Sequence, residues 1–212
     1  MKDIILLGGG GHCKSVIDVI EQEAKFQIKG ILDVAEKVGE SVLDYPIVGT
    51  EDDLPRFIEG GAKVLVTVGQ VKSSALRQRL FELVKLNKGT LATVVSPLAY
   101  VSKYAQVGEG GIIMHGAIVN AGATIGRNTI INSRTLIEHD AAVGDHCHIA
   151  TGAIINGDCQ IGNQVLIGSR SVLRQGVKIC DSAIVGMGSL VLHDIKYTGT
   201  YFGNPVKERT QG

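Results

Sequence analysis

From Val95 to Val191 every sixth residue is aliphatic without a slip, and the residue four places after each is nearly always small, as at Ala99, Ala117, Ala141, Ala153 and Ser189. This period predicts a parallel β-helix. Each hexad makes one short strand and a turn, and three hexads close one triangular coil. The aliphatics fill the axis while stacked coils pair their strands about 4.8 Å apart. Strands of an ordinary sandwich would instead alternate with a period of about two residues between irregular turns. Seventeen hexads amount to nearly six coils.

The first ninety residues follow another pattern. Asp3 to Leu7 predicts a buried strand, Gly8 to Gly11 a tight loop, and Cys13 to Ala24 a helix with Val16, Ile17, Val19 and Ile20 on its apolar side. Further strands are expected at Ile28 to Leu32, ending at Asp33, and at Lys63 to Val68, ending at Gly69-Gln70, with a helix from about Ser73 to Leu86. Alternating strands and helices predict a small parallel sheet. The expected organisation is therefore an α/β Rossmann-like domain over residues 1–90, then an all-β parallel β-helix with a C-terminal tail over 91–212.

Folding the repeats into coils puts residues eighteen apart in one column. The residue before each aliphatic then forms three corner stripes. Tyr100 to Leu190 and Ile112 to Ile184 are apolar, and Gln106 to Lys178 is polar. A lone prism would expose both apolar stripes, which soluble monomers rarely tolerate. A closed cyclic trimer buries one against the other, so a homotrimer is expected. His148 is the polar exception in its stripe and reads either as a ligand contact or as a structural hydrogen bond. In the His139 column the neighbours are Ala121 and Gly157, which leaves space on both sides of the imidazole, so His139 reads either as a site residue with room for a ligand or as a surface histidine on a solvated turn. Asp140 stacks on Asp158, and two carboxylates about 5 Å apart favour a nearby cation such as protonated His139. His115, His146 and His193 read as structural or surface residues, with His146 facing solvent at a turn.

Charge adds mainly exclusions. Lys plus Arg and Asp plus Glu both number 21, so no bulk field points to nucleic acid or an anionic membrane. No signal peptide or long apolar run is visible, which predicts a soluble cytoplasmic protein. Cys13, Cys147, Cys159 and Cys180 form no CxxC pair, and Cys147 and Cys159 fall at inward small positions, where packing explains them. No metal ligand set is expected. The glycine loop places backbone N–H groups at a helix N-terminus and reads either as an anion site, for which phosphate is the natural ligand, or as a tight turn with no ligand, and Asp33 reads either as a ribose acceptor or as a turn former.

Four segments carry a resemblance: Leu6-Leu7-Gly8-Gly9-Gly10-Gly11-His12, Ile137-Glu138-His139-Asp140-Ala141, Gly144-Asp145-His146-Cys147-His148-Ile149 and Gly203-Asn204-Pro205. With them the chain resembles the bacterial nucleotide-sugar N-acetyltransferases that act on 4-amino-4,6-dideoxy sugars, whose coil is a left-handed β-helix, and their relatives the sialic acid O-acetyltransferases. The resemblance implies a homotrimer with the nucleotide sugar on the N-terminal domain and acetyl-CoA in a groove between adjacent coils. It implies His139 as general base, Asp140 as the acid that raises its basicity, and His148, Ser169 and Met187 as contacts of the CoA arm. Gly10, Gly11, His12, Asp33, Val34 and Gly69 match nucleotide-sugar positions, with Val34 departing from the acidic residue some relatives carry. Direct attack of the sugar amine on the thioester is expected, with a backbone N–H near Gly157 as oxyanion donor. The alternatives are O-acetylation of a sialic or related nonulosonic acid, a zinc hydro-lyase built on the same coil, for which the histidine spacing is unsuited, and a non-catalytic scaffold.

Overall fold

The structure is a computed structural model that describes residues 1–70 and 73–208, so the last four residues of the expected coil domain lie outside it. Its N-terminal part runs β1 (Lys2–Leu7), α1 (Gly11–Glu23), β2 (Phe26–Leu32), β3 (Ser41–Val42), β4 (Tyr45–Gly49), α2 (Leu54–Glu59), β5 (Lys63–Val66) and α3 (Ala75–Leu86). The sheet order is β3-β4-β2-β1-β5, parallel except for the β3–β4 hairpin. β1 is apolar throughout because both its faces are covered: Ile4 and Leu6 pack with α1, and Ile5 and Leu7 pack towards α2 and α3. The hairpin and α2 were not read from the sequence. Two-residue and six-residue elements carry too little periodicity to be recognised.

The chain enters the coils without a linker. Leu91 bridges to Val64 of β5, and Val94–Val95 is already the first coil strand. Every one of the seventeen aliphatics is the second residue of a two-residue strand, pointing inward, and the strands pair in parallel at a register of eighteen, as in Ile118↔Leu136 and Ile137↔Ile155. From Gly110 to Gly188 every sixth residue has positive φ, whether glycine or, as at Asn128, Arg134, Asp140, His146 and Asp158, a side chain held in the left-handed region. These residues make the corners of the prism.

The stripes expected at the corners lie instead on the three flat faces. The front face carries Tyr100, Ile118, Leu136, Ile154, Val172 and Leu190. The polar face carries Gln106, Thr124, Ala142, Gln160 and Lys178, and the third face carries Ile112, Ile130, His148, Leu166 and Ile184. The expectation that both apolar stripes are open in a lone chain needs correction. Ile112 and Ile130 on the third face are fully buried against Cys13, Val16 and Ile20, because the chain's own N-terminal domain docks there. Among the described residues the front face remains as the open apolar stripe, with Tyr100 and Ile118 exposed.

A polar clasp closes each edge of this docked face. At one corner Arg77 of α3, fully buried, donates from Nη1 to the carbonyls of Val66 (2.6 Å) and Val68 (2.9 Å) and from Nε to that of Asn128 (3.0 Å). Burial pushes its guanidinium down to about 9, which still leaves a cation at neutral pH. At the other corner His115 donates from Nε2 to Asp18 of α1 (2.7 Å) and accepts at Nδ1 from the Ser96 hydroxyl (2.6 Å). His146 is not the solvent-facing residue expected. Its ring lies edge-on to Phe81 of α3, and its Nδ1 accepts from Asn128 Nδ2 at 2.9 Å.

Arg77→Leu removes the donors while leaving the carbonyls of Val66, Val68 and Asn128 buried, and each unpaired group costs about 1–3 kcal/mol. The expected result in denaturant unfolding is a loss of at least about 2 kcal/mol. Wild-type stability for this variant would show that water replaces the guanidinium at the seam.

Candidate active site

His139 and Asp140 occupy the corner between the front and polar faces, where the chain leaves the strand Leu136–Ile137 and turns at Asp140, φ 60°. The turn sends both side chains outward, 58% and 67% exposed. His139 donates from Nδ1 to Asp140 Oδ2 at 2.9 Å, which fixes the tautomer and leaves the Nε2 lone pair free. That hydrogen bond, reinforced by the charges of Asp140, Glu138 and Asp158, raises the imidazole pKa above its ordinary 6.5. Glu138 supports the turn: its Oε2 accepts from Asn120 Nδ2 (2.8 Å) and from the His139 N–H (3.3 Å).

The space expected on both sides of the ring is present on one. The imidazole leans over Gly157, where a Cβ would stand 2.7 Å from Nε2, so only glycine admits this ring position. The Ala121 side stays open. Asp140 and Asp158 do not converge as the column arithmetic suggested. The Asp140 carboxylate spreads over Gly122, one coil before it, and that of Asp158 points towards Gly176, one coil after it. Repulsion between like charges is relieved by this splay. The Gly157 N–H has no acceptor among the described residues.

A second group of the expected residues lies at the docked face, away from this corner. Gly10 and Gly11 open onto free space at the start of α1, where the Cys13 N–H donates to the Gly10 carbonyl (3.0 Å) and no side chain caps the helix. Gly69 packs against His12, its position for a Cβ 3.3 Å from that of His12. His12 has its Nε2 buried without a partner, as has Gln70 its Oε1, and burial with the nearby Arg77 and His148 pushes the His12 pKa down to about 3. His12 is therefore neutral at physiological pH. Asp33 is committed to the loop itself. Its Oδ2 accepts from the Gly9 N–H (2.6 Å) and Lys37 Nζ (3.2 Å), and its Oδ1 from the Val34 N–H (2.7 Å). Burial alone would raise its pKa, but these donors lower it. Val34 is exposed beside it.

His148 joins this second group. Its Nδ1 donates to the Gln70 carbonyl (2.8 Å), its Nε2 accepts from Asn132 Nδ2 (3.1 Å), and its ring centroid is 6.2 Å from that of His12. Both nitrogens are thus occupied within the chain, and burial lowers the pKa so the ring stays neutral. The sequence offered no signal for Gln70 as its partner, because that contact spans the domain seam, whereas Asn132 lies on the adjacent coil of the same face.

Beyond the other edge of the front face lies a groove of about 700 Å³ lined by Arg134, Thr151, Gly152, Ile154, Ser169, Arg170 and Val172. Two guanidiniums, two hydroxyls and an apolar wall suit a long ligand that carries phosphates at one end. Ser169 is in this groove, and Met187, in the next coil of the same column, is exposed. Among the described residues no cluster of His, Cys, Asp and Glu is placed to hold a metal ion, and no helix is long and apolar enough to cross a membrane.

With this geometry in view, residues 3–84 match the PglD N-terminal domain, and residues 122–157 and 158–193 match the bacterial transferase hexapeptide family (six repeats). A UDP-N-acetylbacillosamine N-acetyltransferase of Bacillus subtilis (strain 168) is 32% identical over 118 residues, which cover 54% of this chain and 52% of that protein. The match thus spans about half the length of that relative. The solved acetyltransferase domain of PglB from Neisseria gonorrhoeae FA1090 superposes with a TM-score of 0.91 at 26% identity, covering 99% of this chain and 100% of that one. PerB from Caulobacter crescentus, solved with CoA and GDP-perosamine, superposes with a TM-score of 0.91 at 29% identity, covering 99% and 98%. The chain thus joins a PglD N-terminal domain to bacterial transferase hexapeptide repeats, and over nearly its whole length it is similar in fold to the PglB and PerB structures.

Proposed function

We propose that this protein transfers the acetyl group of acetyl-CoA to the amine of a nucleotide-linked 4-amino-4,6-dideoxy sugar. The observation that carries this reading is His139, with Nδ1 tied to Asp140 and Nε2 lying over Gly157, whose N–H has no acceptor among the described residues. A sugar amine is largely protonated near neutrality. Once the ammonium has lost one proton to solvent, its nitrogen attacks the thioester carbonyl while Nε2 takes a second; Asp140 stabilises the imidazolium, the Gly157 N–H faces the oxyanion, and as the intermediate collapses with cleavage of the C–S bond the imidazolium protonates the departing CoA thiolate. No acyl-enzyme is needed, since Cys13, Cys147 and Cys159 are buried within the core clusters and burial raises their thiols away from the reactive thiolate.

The groove with Arg134, Ser169 and Arg170 suits the CoA arm, with Met187 at its continuation. His148 meets a ligand through its ring rather than a nitrogen, and stiffens the wall it shares with His12. The open N–H groups at Gly10 and Gly11, the orphaned His12 Nε2, and Gly69 suit the phosphates and hydroxyls of the nucleotide sugar, with Val34 flanking the base and Asp33 holding the loop in shape.

Within one chain these parts do not meet. The His139 corner is opposite the docked face, so the donor groove, the acceptor loop and the base come together only if copies associate. The open front face, flanked by the His139 corner and the groove, supports a homotrimer in which each chain places its base against a neighbour's groove. Soluble location in the cytoplasm, where both substrates are made, is part of the same proposal.

His139→Ala should lower kcat about 10²–10⁴-fold with assembly intact, as expected for loss of a general base; an unchanged kcat removes His139 from the mechanism. Light scattering should give three times the chain mass, and a monomer at assay concentration would refute the shared site. Because the base must be neutral and its pKa is raised by Asp140, the rate should climb with pH through an acid limb lying above the ordinary imidazole value. Asp140→Asn should move that limb to lower pH and reduce kcat, and a limb that stays in place would show that Asp140 does not set the basicity.

A further inference from the structure

We propose that Lys103, held over the ring of Tyr104, anchors the anomeric phosphate of the acceptor while the amine at the far end of the sugar ring lies on His139. The inference rests on the acetyl-transfer reading above and goes beyond it by assigning a specificity residue to a place on the coil.

The assignment comes from register. Lys103 and Tyr104 occupy the same turn positions as His139 and Asp140, two coils earlier, with Ala121 and Gly122 between them. The backbone ties the three turns into one ladder: the Gly122 N–H donates to the Tyr104 carbonyl (3.3 Å) and the Asp140 N–H to the Ala121 carbonyl (3.2 Å). Two strand spacings separate the imidazole from the root of the lysine by about 10 Å. Asp140 covers Gly122, so exposed Ala121 is the bare floor between the two basic groups. Tyr104 is 68% exposed, and Lys103 Nζ sits 4.9 Å from its ring centroid, a cation–π contact that holds a long flexible side chain at this edge.

The chemistry of the acceptor fits that spacing. In a 4-amino pyranose the amine on C4 and the phosphate on C1 project from opposite ends of the ring. When the amine rests at Nε2 of His139, the first phosphate is carried one ring-width away along the floor, within reach of an ammonium two coils off. Charge selects the direction. The remaining ionisable neighbours of His139 at this corner, Glu138, Asp140 and Asp158, are carboxylates, and they repel a diphosphate from the His139 end. Lys103 is the cation at the other end, and among the described residues it makes no ion pair that would spend its charge elsewhere. An acceptor with its charge elsewhere, such as a free sialic acid, gains nothing from this arrangement.

The test uses the full-length enzyme with UDP- or GDP-linked 4-amino-4,6-dideoxy hexose, and in parallel the uncharged methyl glycoside of the same amino sugar. Lys103→Met should raise KM for the nucleotide sugar about ten- to hundredfold, as for loss of a charged hydrogen bond. It should leave kcat, KM for acetyl-CoA and kcat/KM for the glycoside unchanged. Lys103→Arg should recover most of the loss, and Tyr104→Leu should give a smaller rise in the same constant. An unchanged KM in Lys103→Met, or an equal loss with the glycoside, overturns the phosphate anchor while leaving acetyl transfer standing. If the wild-type enzyme acetylates no nucleotide-linked amino sugar, the functional reading falls and the anchor falls with it.

Discussion

The whole molecule depends on a backbone constraint, the left-handed turn that recurs at every sixth residue from Gly110 to Gly188. Glycine adopts it freely. For a non-glycine residue the conformation costs roughly 1–2 kcal/mol, least for Asn and Asp. The coil tolerates Arg134, His146 and Arg170 there because the parallel hydrogen bonds on both sides and the inward aliphatics overdetermine each corner. Every such aliphatic withdrawn from water contributes about 1.5–3 kcal/mol. One inserted residue would rotate all later side chains off their columns, so the register that builds the core also places the chemistry. His139 stands over Gly157 and beside bare Ala121 because those residues are eighteen positions away.

A second consequence is the division of labour among the three faces. The N-terminal domain takes one face and is bolted at both edges, by Arg77 on carbonyls and by the Asp18–His115–Ser96 chain. Burying an unpaired guanidinium is costly in general. Here its donors end carbonyls that the corner and the end of β5 leave without partners, and the same bolt holds the Val68–Gln70 segment against which His148 is oriented. Rigidity of the seam is thereby passed to the glycine loop through Gly69 and His12. The polar face remains solvated, and the front face keeps its aliphatics open.

The coil was legible in full because a six-residue period repeated seventeen times leaves no competing template, and all seventeen aliphatics occupy the expected strand position. The α/β order of the first ninety residues was legible for the same reason at lower redundancy, with strand and helix ends displaced by about two residues. Long-range pairing was not. That Ile112 and Ile130 meet α1, that His146 meets Phe81, and that His148 is held by Gln70 depend on how one domain sits on another. Asp33 illustrates the limit at one residue. Its place after a strand predicted a polar role, but only the coordinates show both oxygens turned inward on Gly9 and Val34. The His139–Asp140 pair was visible from adjacency in sequence, whereas the opposite lean of Asp140 and Asp158 is decided by where glycine leaves room.

An imidazole more than half exposed is a modest base, because water competes for its lone pair and screens the carboxylate that raises its basicity. Among the described residues nothing covers it: the corner is convex, its neighbours in the column are Ala121 and Gly157, and a large groove opens on the opposite edge of the front face. Convexity is a property of every corner of a triangular coil, so catalysis on such a scaffold requires a concave surface from elsewhere. In the trimer proposed above, a second copy seated on the front face would supply one from residues already present, with each chain giving its base to one neighbour and its groove to the other. Exclusion of water, proximity of thioester and amine, and burial of Tyr100 and Ile118 would then be a single event, and the apolar face that looks like a liability in the isolated chain would become the condition for the site.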